Sequence, residues 1–244
     1  MKTLIFFATY NEVGNVASMI EQITAAAPDA DIFIIDDNSK DGTLKVLEDM
    51  RRDNLKVLVR PSKLGLGSAH LLAWKHAIHH RYDVLITMDG DLSHDPADIP
   101  RLTAKLTEGF DLVIGSRYTK GGACDYTGYR KYVSKLGNVG ARQLLRIKLS
   151  EFTTSYRAFR VSALSKINFE SVAVDGYSFF LTVIVQAYLS GLRLIEIPIY
   201  FHERNSGASK IPPLEVFRGM SRLMRLAHVV HFKKPTLSKA RADL

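Results

Sequence analysis

The run Val84-Leu85-Ile86-Thr87-Met88-Asp89-Gly90-Asp91 joins an apolar, strand-like stretch to two carboxylates one glycine apart. Two ionised aspartates at the mouth of a buried strand repel each other and resist desolvation, and a hard divalent cation such as Mg²⁺ or Mn²⁺ relieves both costs. Asp89 and Asp91 are therefore candidate metal ligands. Taken alone, Asp-Gly-Asp also fits a strand followed by a solvated acidic turn. Comparable polar groups follow other apolar runs: Thr9-Tyr10-Asn11-Glu12 after Leu4–Ala8, Asp36-Asp37 after Ile32–Ile35, and Ser116-Arg117 after Leu112–Gly115.

Such polar ends act together only if a scaffold gathers them. Between the strand-like runs lie segments with helical spacing, Val16 to Ala27, Leu44 to Arg52 and Ser68 to His80. Val57–Val59 and Val84–Met88 read as further strands. The alternation predicts an α/β fold with a mostly parallel central sheet and helices on both faces. In open sheets of that kind ligands bind in the crevice outside the carboxyl ends of the strands, so the polar clusters are expected along one edge. Trp74, on a predicted helix, is expected to pack in the core.

A chain of 244 residues with 46% hydrophobic content can bury a full core. Its single cysteine, Cys124, excludes an internal disulfide and points to a reducing compartment, the cytosol. The Leu4–Ala8 run lacks the length and cleavage pattern of a signal peptide. The best apolar stretch, Phe179 to Leu189, falls short of the roughly 20 residues that span a bilayer. Charge is uneven: residues 1–115 carry a net −5 and residues 116–244 a net +13. A basic half suits nucleic acid, an anionic membrane surface or a phosphorylated substrate.

The run Ala8-Thr9-Tyr10-Asn11-Glu12, the stretch Ile35 to Thr43, and Lys63-Leu64-Gly65-Leu66-Gly67 together resemble the family-2 inverting glycosyltransferases. Met88 to Pro96, Gly115-Ser116-Arg117-Tyr118, Arg130 with Ser134, Thr153 to Arg160, Gly176-Tyr177 and Pro198 to Lys210 resemble the polyprenyl-phosphate (dolichol-phosphate) mannosyltransferases of that family. The resemblance implies a GT-A fold over residues 1–211, with residues 1–115 as the nucleotide-sugar-binding half and 116–211 as the acceptor half. Residues 212–244 would be an amphipathic basic helix and tail. Ala8, Tyr10, Glu12, Ile35, Asp37, Lys63, Asp89 and Gly90 match donor-binding positions. Asp37 is the preferred ribose ligand, because a carboxylate accepts hydrogen bonds from sugar hydroxyls. Glu12 equally suits a helix N-terminus, and Asp36 and Asp41 suit the turn around Gly42.

The implied chemistry is leaving-group activation, with Mg²⁺ or Mn²⁺ held by Asp89 and Asp91 against a nucleoside diphosphate. Ser93 matches an additional metal-shell position, and its setting, Ser-His-Asp-Pro, is equally that of an N-cap. No Ser/His/Asp triad stands out, and none is needed: a lipid phosphate is already ionised near neutral pH. Asp91, Arg117, Arg130, Ser134, Arg204 and Lys210 are the candidate catalytic residues, the cations holding that phosphate in line. Arg204 and Lys210 fall on a Gly/Ser segment able to close over the site. His94 and His202 are read as hydrogen-bonding or loop residues and not as bases.

The expected donor is GDP-mannose and the acceptor a polyprenyl phosphate at the cytoplasmic membrane face. The alternative is another donor, UDP-glucose or UDP-N-acetylglucosamine, or a non-lipid acceptor. Nucleic acid is not an expected partner, since an aromatic-and-basic recognition pattern is missing. Between Leu214 and Phe232, Val216, Phe217, Met220, Leu223, Met224, Ala227 and Val230 recur at helical spacing among Arg218, Arg222 and Arg225. That pattern suits peripheral attachment to a membrane, with or without a small membrane-anchoring subunit, or equally a final helix packed on the core. The chain departs from the family at Ala8 (proline), Gly90 (alanine), Tyr126 (tryptophan) and Glu151 (aspartate). Phe180 and Thr182 replace a glutamine and a glutamate, which is expected to remove polar groups near the acceptor.

Overall fold

The computed structural model describes residues 1–125, 128–169, 172, 178–203 and 213–232, with the backbone only at 129–130 and 213–218. In chain order its elements are β1 (Thr3–Thr9), α1 (Val16–Ala26), β2 (Asp31–Asp36), α2 (Thr43–Asp49), β3 (Leu55–Val59), α3 (Leu66–His79), β4 (Val84–Thr87), α4 (Ile99–Thr107) and β5 (Leu112–Ser116). There follow β6 (Ala123–Cys124), α5 (Tyr129–Leu145), β7 (Arg157–Arg160), α6 (Val161–Leu164), α7 (Ser178–Leu189), β8 (Leu194–Pro198), β9 (Tyr200–Phe201) and α8 (Pro213–Phe232).

Seven strands form one sheet in the order β3-β2-β1-β4-β7-β5-β8, and β6 pairs with β9 in a small second sheet. The large sheet is parallel except for β7, which runs antiparallel between β4 and β5. Alternation along the strands builds two cores. Leu4 and Phe6 face one, with Ala73 and Trp74 of α3, Leu145 of α5, Ile184 of α7 and Leu226 of α8. Ile5 and Phe7 face the other, with Met19 and Ile23 of α1, Leu47 of α2 and Leu102 of α4. Trp74 packs against Phe159, Phe169 and Phe179, as a core residue should. Among the described residues no helix is long and apolar enough to cross a membrane.

The helix expected over Leu44 to Arg52 ends at Asp49, and the one expected from Ser68 begins at Leu66. Phe180 and Thr182 lie inside the core on α7. The Phe180 ring lies 5.1 Å from the buried Arg157 guanidinium, and its carbonyl accepts from Arg157 Nη1 at 3.0 Å. Carbonyls of Thr154 and Phe152 take the other Arg157 donors, so the buried charge is answered by main-chain oxygens. On α8 the apolar residues divide: Leu223, Leu226 and Ala227 are buried, while Met220 and Met224 remain exposed.

Candidate active site

The carboxyl ends of β1 and β2 are stitched together by buried polar groups. Thr9 and Asp36 lie side by side in the register, and Asp36 accepts from Thr9 Oγ1 (2.7 Å), Ser39 N (2.8 Å) and Ser39 Oγ (2.6 Å). Asp41 accepts from Thr43 N and Oγ1 and from Val13 N; burial raises its pKa, but these bonds outweigh it and hold the carboxyl below the usual range. Asp36 and Asp41 are thus the turn residues that sequence allowed them to be. Gly42, at φ +103°, supplies the left-handed turn between them and α2.

Asp37 is different. Its carboxylate pairs with Arg60 Nε and takes Gly65 N at 3.3 Å, while Arg60 Nη1 and Nη2 donate to Ser68 Oγ (2.6 Å) and the Gly65 carbonyl (3.0 Å). Arg60 therefore fixes Asp37 at the end of β2, leaving lone pairs on its oxygens for a ligand. Sequence reading passed over Arg60, although a cation closing the β3 run opposite Asp36-Asp37 was the available signal. Tyr10 and Lys63, 53 residues apart, meet with Lys63 Nζ 4.1 Å from the ring centre. Glu12 Oε2 accepts from Asn15 Nδ2 (2.7 Å) at the start of α1. Ala8 and Ile35 are paired in the register; Ile35 is wholly buried.

Beyond β4, Asp89 keeps about a quarter of its side chain exposed and accepts from Ser155 Oγ at 2.6 Å. Asp91 is buried and its Oδ1 takes Ser93 N (3.1 Å) and Ser93 Oγ (2.5 Å). The N-cap of the following turn is Asp95, so the Ser93 hydroxyl is engaged with Asp91 and does not cap. Gly90 backs onto β1: a Cβ there would stand 3.0 Å from Phe7 Cδ2 and 3.1 Å from the Ala8 carbonyl oxygen. The oxygen-only donors of Asp89 and Asp91 fit a hard divalent cation. Among the described residues no group of three His, Cys, Asp or Glu side chains gathers to hold an ion. Two carboxylates leave the remaining coordination of such a cation to water or to oxygens of a ligand.

His94 is a buried brace, not a base. The Asp89 N–H donates to its Nδ1 (3.1 Å), which places the ring proton on Nε2, 3.3 Å from Thr154 Oγ1. Burial, outweighing the charges of Asp89 and Asp91, holds His94 below the usual histidine range. His202 lies 3.5 Å from Asp125, away from any such role.

Arg117, at the end of β5, pairs with the buried Glu151 (Nε to Oε2 2.7 Å, Nη2 to Oε1 3.2 Å) and reaches Thr153 Oγ1 at 3.3 Å. The Phe201 ring lies 4.7 Å from its guanidinium. Glu196 in turn accepts from Ser150 N and Glu151 N, and burial raises its pKa. Five residues, 151–155, thereby bond Arg117, His94 and Asp89 in succession. Ser134 is half-buried on α5; Arg130 is the second residue of that helix, and its side chain is outside the described residues. Arg204, Lys210, Tyr126, Gly176 and Tyr177 also lie outside them.

Compared with known proteins, residues 4–168 match the Glycosyl transferase family 2 domain. The chain is 36% identical over 214 residues to polyprenol monophosphomannose synthase of Mycolicibacterium smegmatis, covering 86% of this chain and 81% of that protein. It is 35% identical over 217 residues to undecaprenyl-phosphate mannosyltransferase of Micrococcus luteus, covering 86% and 88%. In fold it resembles glucosyl-3-phosphoglycerate synthase of Mycobacterium tuberculosis, solved with Mn²⁺ and UDP, at a TM-score of 0.63, 18% identity and 93% and 78% coverage. The mostly parallel sheet flanked by two helical layers is the GT-A fold. This chain belongs to glycosyl transferase family 2 and is a glycosyltransferase.

Proposed function

We propose that the chain transfers mannose from GDP-mannose to a polyprenyl phosphate, with inversion at the anomeric carbon and with Mg²⁺ or Mn²⁺ as cofactor. The observation that carries this reading is the segment 151–155, which bonds both the carboxylate of the acidic half and the arginine of the basic half. A donor diphosphate calls for a cation at the first, and an anionic acceptor calls for a guanidinium at the second. The printed names of the two relatives, each matched over 86% of this chain, support a lipid-phosphate acceptor and mannose.

On the donor side, Asp37, steadied by Arg60, accepts from ribose hydroxyls. Tyr10 with Lys63, Glu12, and the main chain of β1 and β2 at Ala8 and Ile35 border the nucleoside. Asp89 and Asp91, with Ser93 behind them and Gly90 keeping the turn close to β1, would hold the cation, whose charge would offset that of the departing diphosphate. On the acceptor side, an oxygen of the ionised lipid phosphate attacks the anomeric carbon as the bond to the diphosphate breaks and its electron pair leaves with GDP. The attacking oxygen carries no proton, so no general base is required. Arg117, Arg130, Ser134, Arg204 and Lys210 orient the acceptor phosphate. The enzyme works peripherally at the cytoplasmic face, attached through α8, alone or with a small anchoring subunit.

The test is transfer of radiolabel from GDP-mannose, UDP-glucose or UDP-N-acetylglucosamine into organic-extractable product, with purified protein, a polyprenyl phosphate and Mg²⁺ or Mn²⁺. Label from GDP-mannose alone, reduced at least about a hundredfold in Asp91→Ala, is the expected result. Label from a uridine donor alone overturns the sugar. No lipid-phase label from any donor overturns the acceptor.

A further inference from the structure

We propose that Asn138 of α5 is a positioning residue for the acceptor phosphate: it locks α5 to the segment 151–155 and so sets the spacing between Ser134 and Arg117. The role rests on the lipid-phosphate reading above. Two separate elements bring the acceptor-side groups. Ser134 stands on α5, with Arg130 one turn earlier, while Glu151 and Thr153 hold Arg117. Both α5 and the segment 151–155 lie outside the strands of the large sheet, so the ladder does not set their spacing. Asn138 joins them: its Oδ1 accepts from Phe152 N at 2.7 Å, and its Nδ2 donates to the Ser134 carbonyl at 2.9 Å. One planar amide thereby ties Ser134 to the residue that stands between the two partners of Arg117.

Packing alone would accept leucine at this position. Ala141 and Leu145, three and seven residues further along the same face of α5, are buried in the apolar core, as is Phe152. Asn138 is itself only 3% exposed, and its amide is tolerated there because both ends are bonded. What the amide adds to apolar packing is direction, since a satisfied buried polar group admits one arrangement where apolar contact admits several.

The rest of the segment is anchored independently. Glu196 of β8 accepts from Ser150 N and Glu151 N, which ties the Arg117 side to the sheet. At the other end Thr87 Oγ1 of β4 donates to the Ser155 carbonyl at 2.6 Å, and Arg157 Nε donates to the Thr154 carbonyl at 2.9 Å. Thr154 and Ser155 therefore keep their places beside His94 and Asp89 without help from Asn138. Loss of the amide frees α5 against a fixed frame, and a shift of about 1 Å between Ser134 and Arg117 is enough to spoil a shared phosphate site. The damage should fall on the acceptor and spare the cation and the nucleotide.

The experiment is equilibrium dialysis of a radiolabelled, water-soluble short-chain prenyl phosphate against the full chain with Mn²⁺ and GDP, with Mn²⁺ binding followed separately by electron paramagnetic resonance. In Asn138→Leu the prenyl phosphate should bind at least about tenfold more weakly and Mn²⁺ with GDP within about twofold of wild type, cooperative thermal unfolding serving as the check on fold. Asn138→Asp keeps the acceptor for Phe152 N, and in its protonated form, which burial favours, it also donates to the Ser134 carbonyl. Its affinity relative to wild type at the same pH should therefore exceed that of the leucine variant and rise as pH falls from about 8 to about 6.

Undiminished phosphate binding by Asn138→Leu overturns the proposal. So does an equal loss of phosphate and of Mn²⁺ with GDP, which would make Asn138 a general packing residue. If the leucine variant does not fold, Asn138→Asp decides alone, and a ratio to wild type that stays constant with pH overturns the proposal. If wild-type protein binds the prenyl phosphate but transfers no mannose to it from GDP-mannose, the sugar reading falls and the binding comparison still decides on Asn138. Wild-type protein that leaves the prenyl phosphate unbound overturns the acceptor reading and the proposal with it.

Discussion

Asp89 is held from two directions: Ser155 Oγ donates to its carboxylate, and its own N–H donates to His94 Nδ1. A carboxylate fixed this way needs no reordering when a cation arrives, which argues that His94 governs metal affinity through geometry. Asparagine can place its amide oxygen where Nδ1 stands, and glutamine places its amide where Nε2 stands. His94→Asn should therefore retain the acceptor for Asp89 N–H, and His94→Gln should retain only the contact with Thr154. With Mn²⁺ titrated against protein and GDP and free ion followed by electron paramagnetic resonance, His94→Gln should weaken binding about tenfold or more and His94→Asn by less than about threefold. Equal losses in the two variants would reduce His94 to a space-filling residue.

At the level of elements, the strands whose ends build the site were legible because each is an unbroken apolar run stopped by polar residues, as at Met88-Asp89 and Ile35-Asp36. The antiparallel β7 was not, since two of its four residues are arginines, and Arg157 is tolerated in the core only through carbonyls contributed by Phe152, Thr154 and Phe180. Asp37 was legible as a candidate, whereas Arg60 offered only the signal of a cation closing the β3 run, since their pairing joins positions 23 residues apart. Ser155 escaped notice for the same reason, 66 residues from Asp89. Amphipathic spacing marked α8 without saying which face packs. Its buried side, Leu223, Leu226 and Ala227, closes the core over α5 and α7. Leu226→Ala should cost about 2–3 kcal/mol in urea unfolding and Met224→Ala less than about 0.5 kcal/mol. Equal costs would mean that the methionine edge is also packed.

Across the whole molecule, the acidic and basic halves meet at residues 151–155, and the core behind that junction keeps a titratable ring in apolar surroundings. His70 contacts Phe6, Phe179 and Phe180 at 5.0 to 5.2 Å between ring centres, and among the described residues its Nε2 has no hydrogen-bond partner. Burial first, and then the positive charge of Arg157, pushes its pKa down from 6.5 to about 3. A base whose folded pKa lies below its unfolded value contributes full stability above the unfolded pKa, here 6.5, and loses it as pH falls toward the folded one. Between pH 7.5 and 5.5 the His70 share of that loss is about 1.4 kcal/mol. Leucine fills a similar volume without titrating, so urea unfolding of His70→Leu should lose about that much less stability over the same interval than wild type. Since every other titrating group is common to the two proteins, identical pH slopes would mean that His70 reaches water in the folded state, and the core behind the junction would have to be open there.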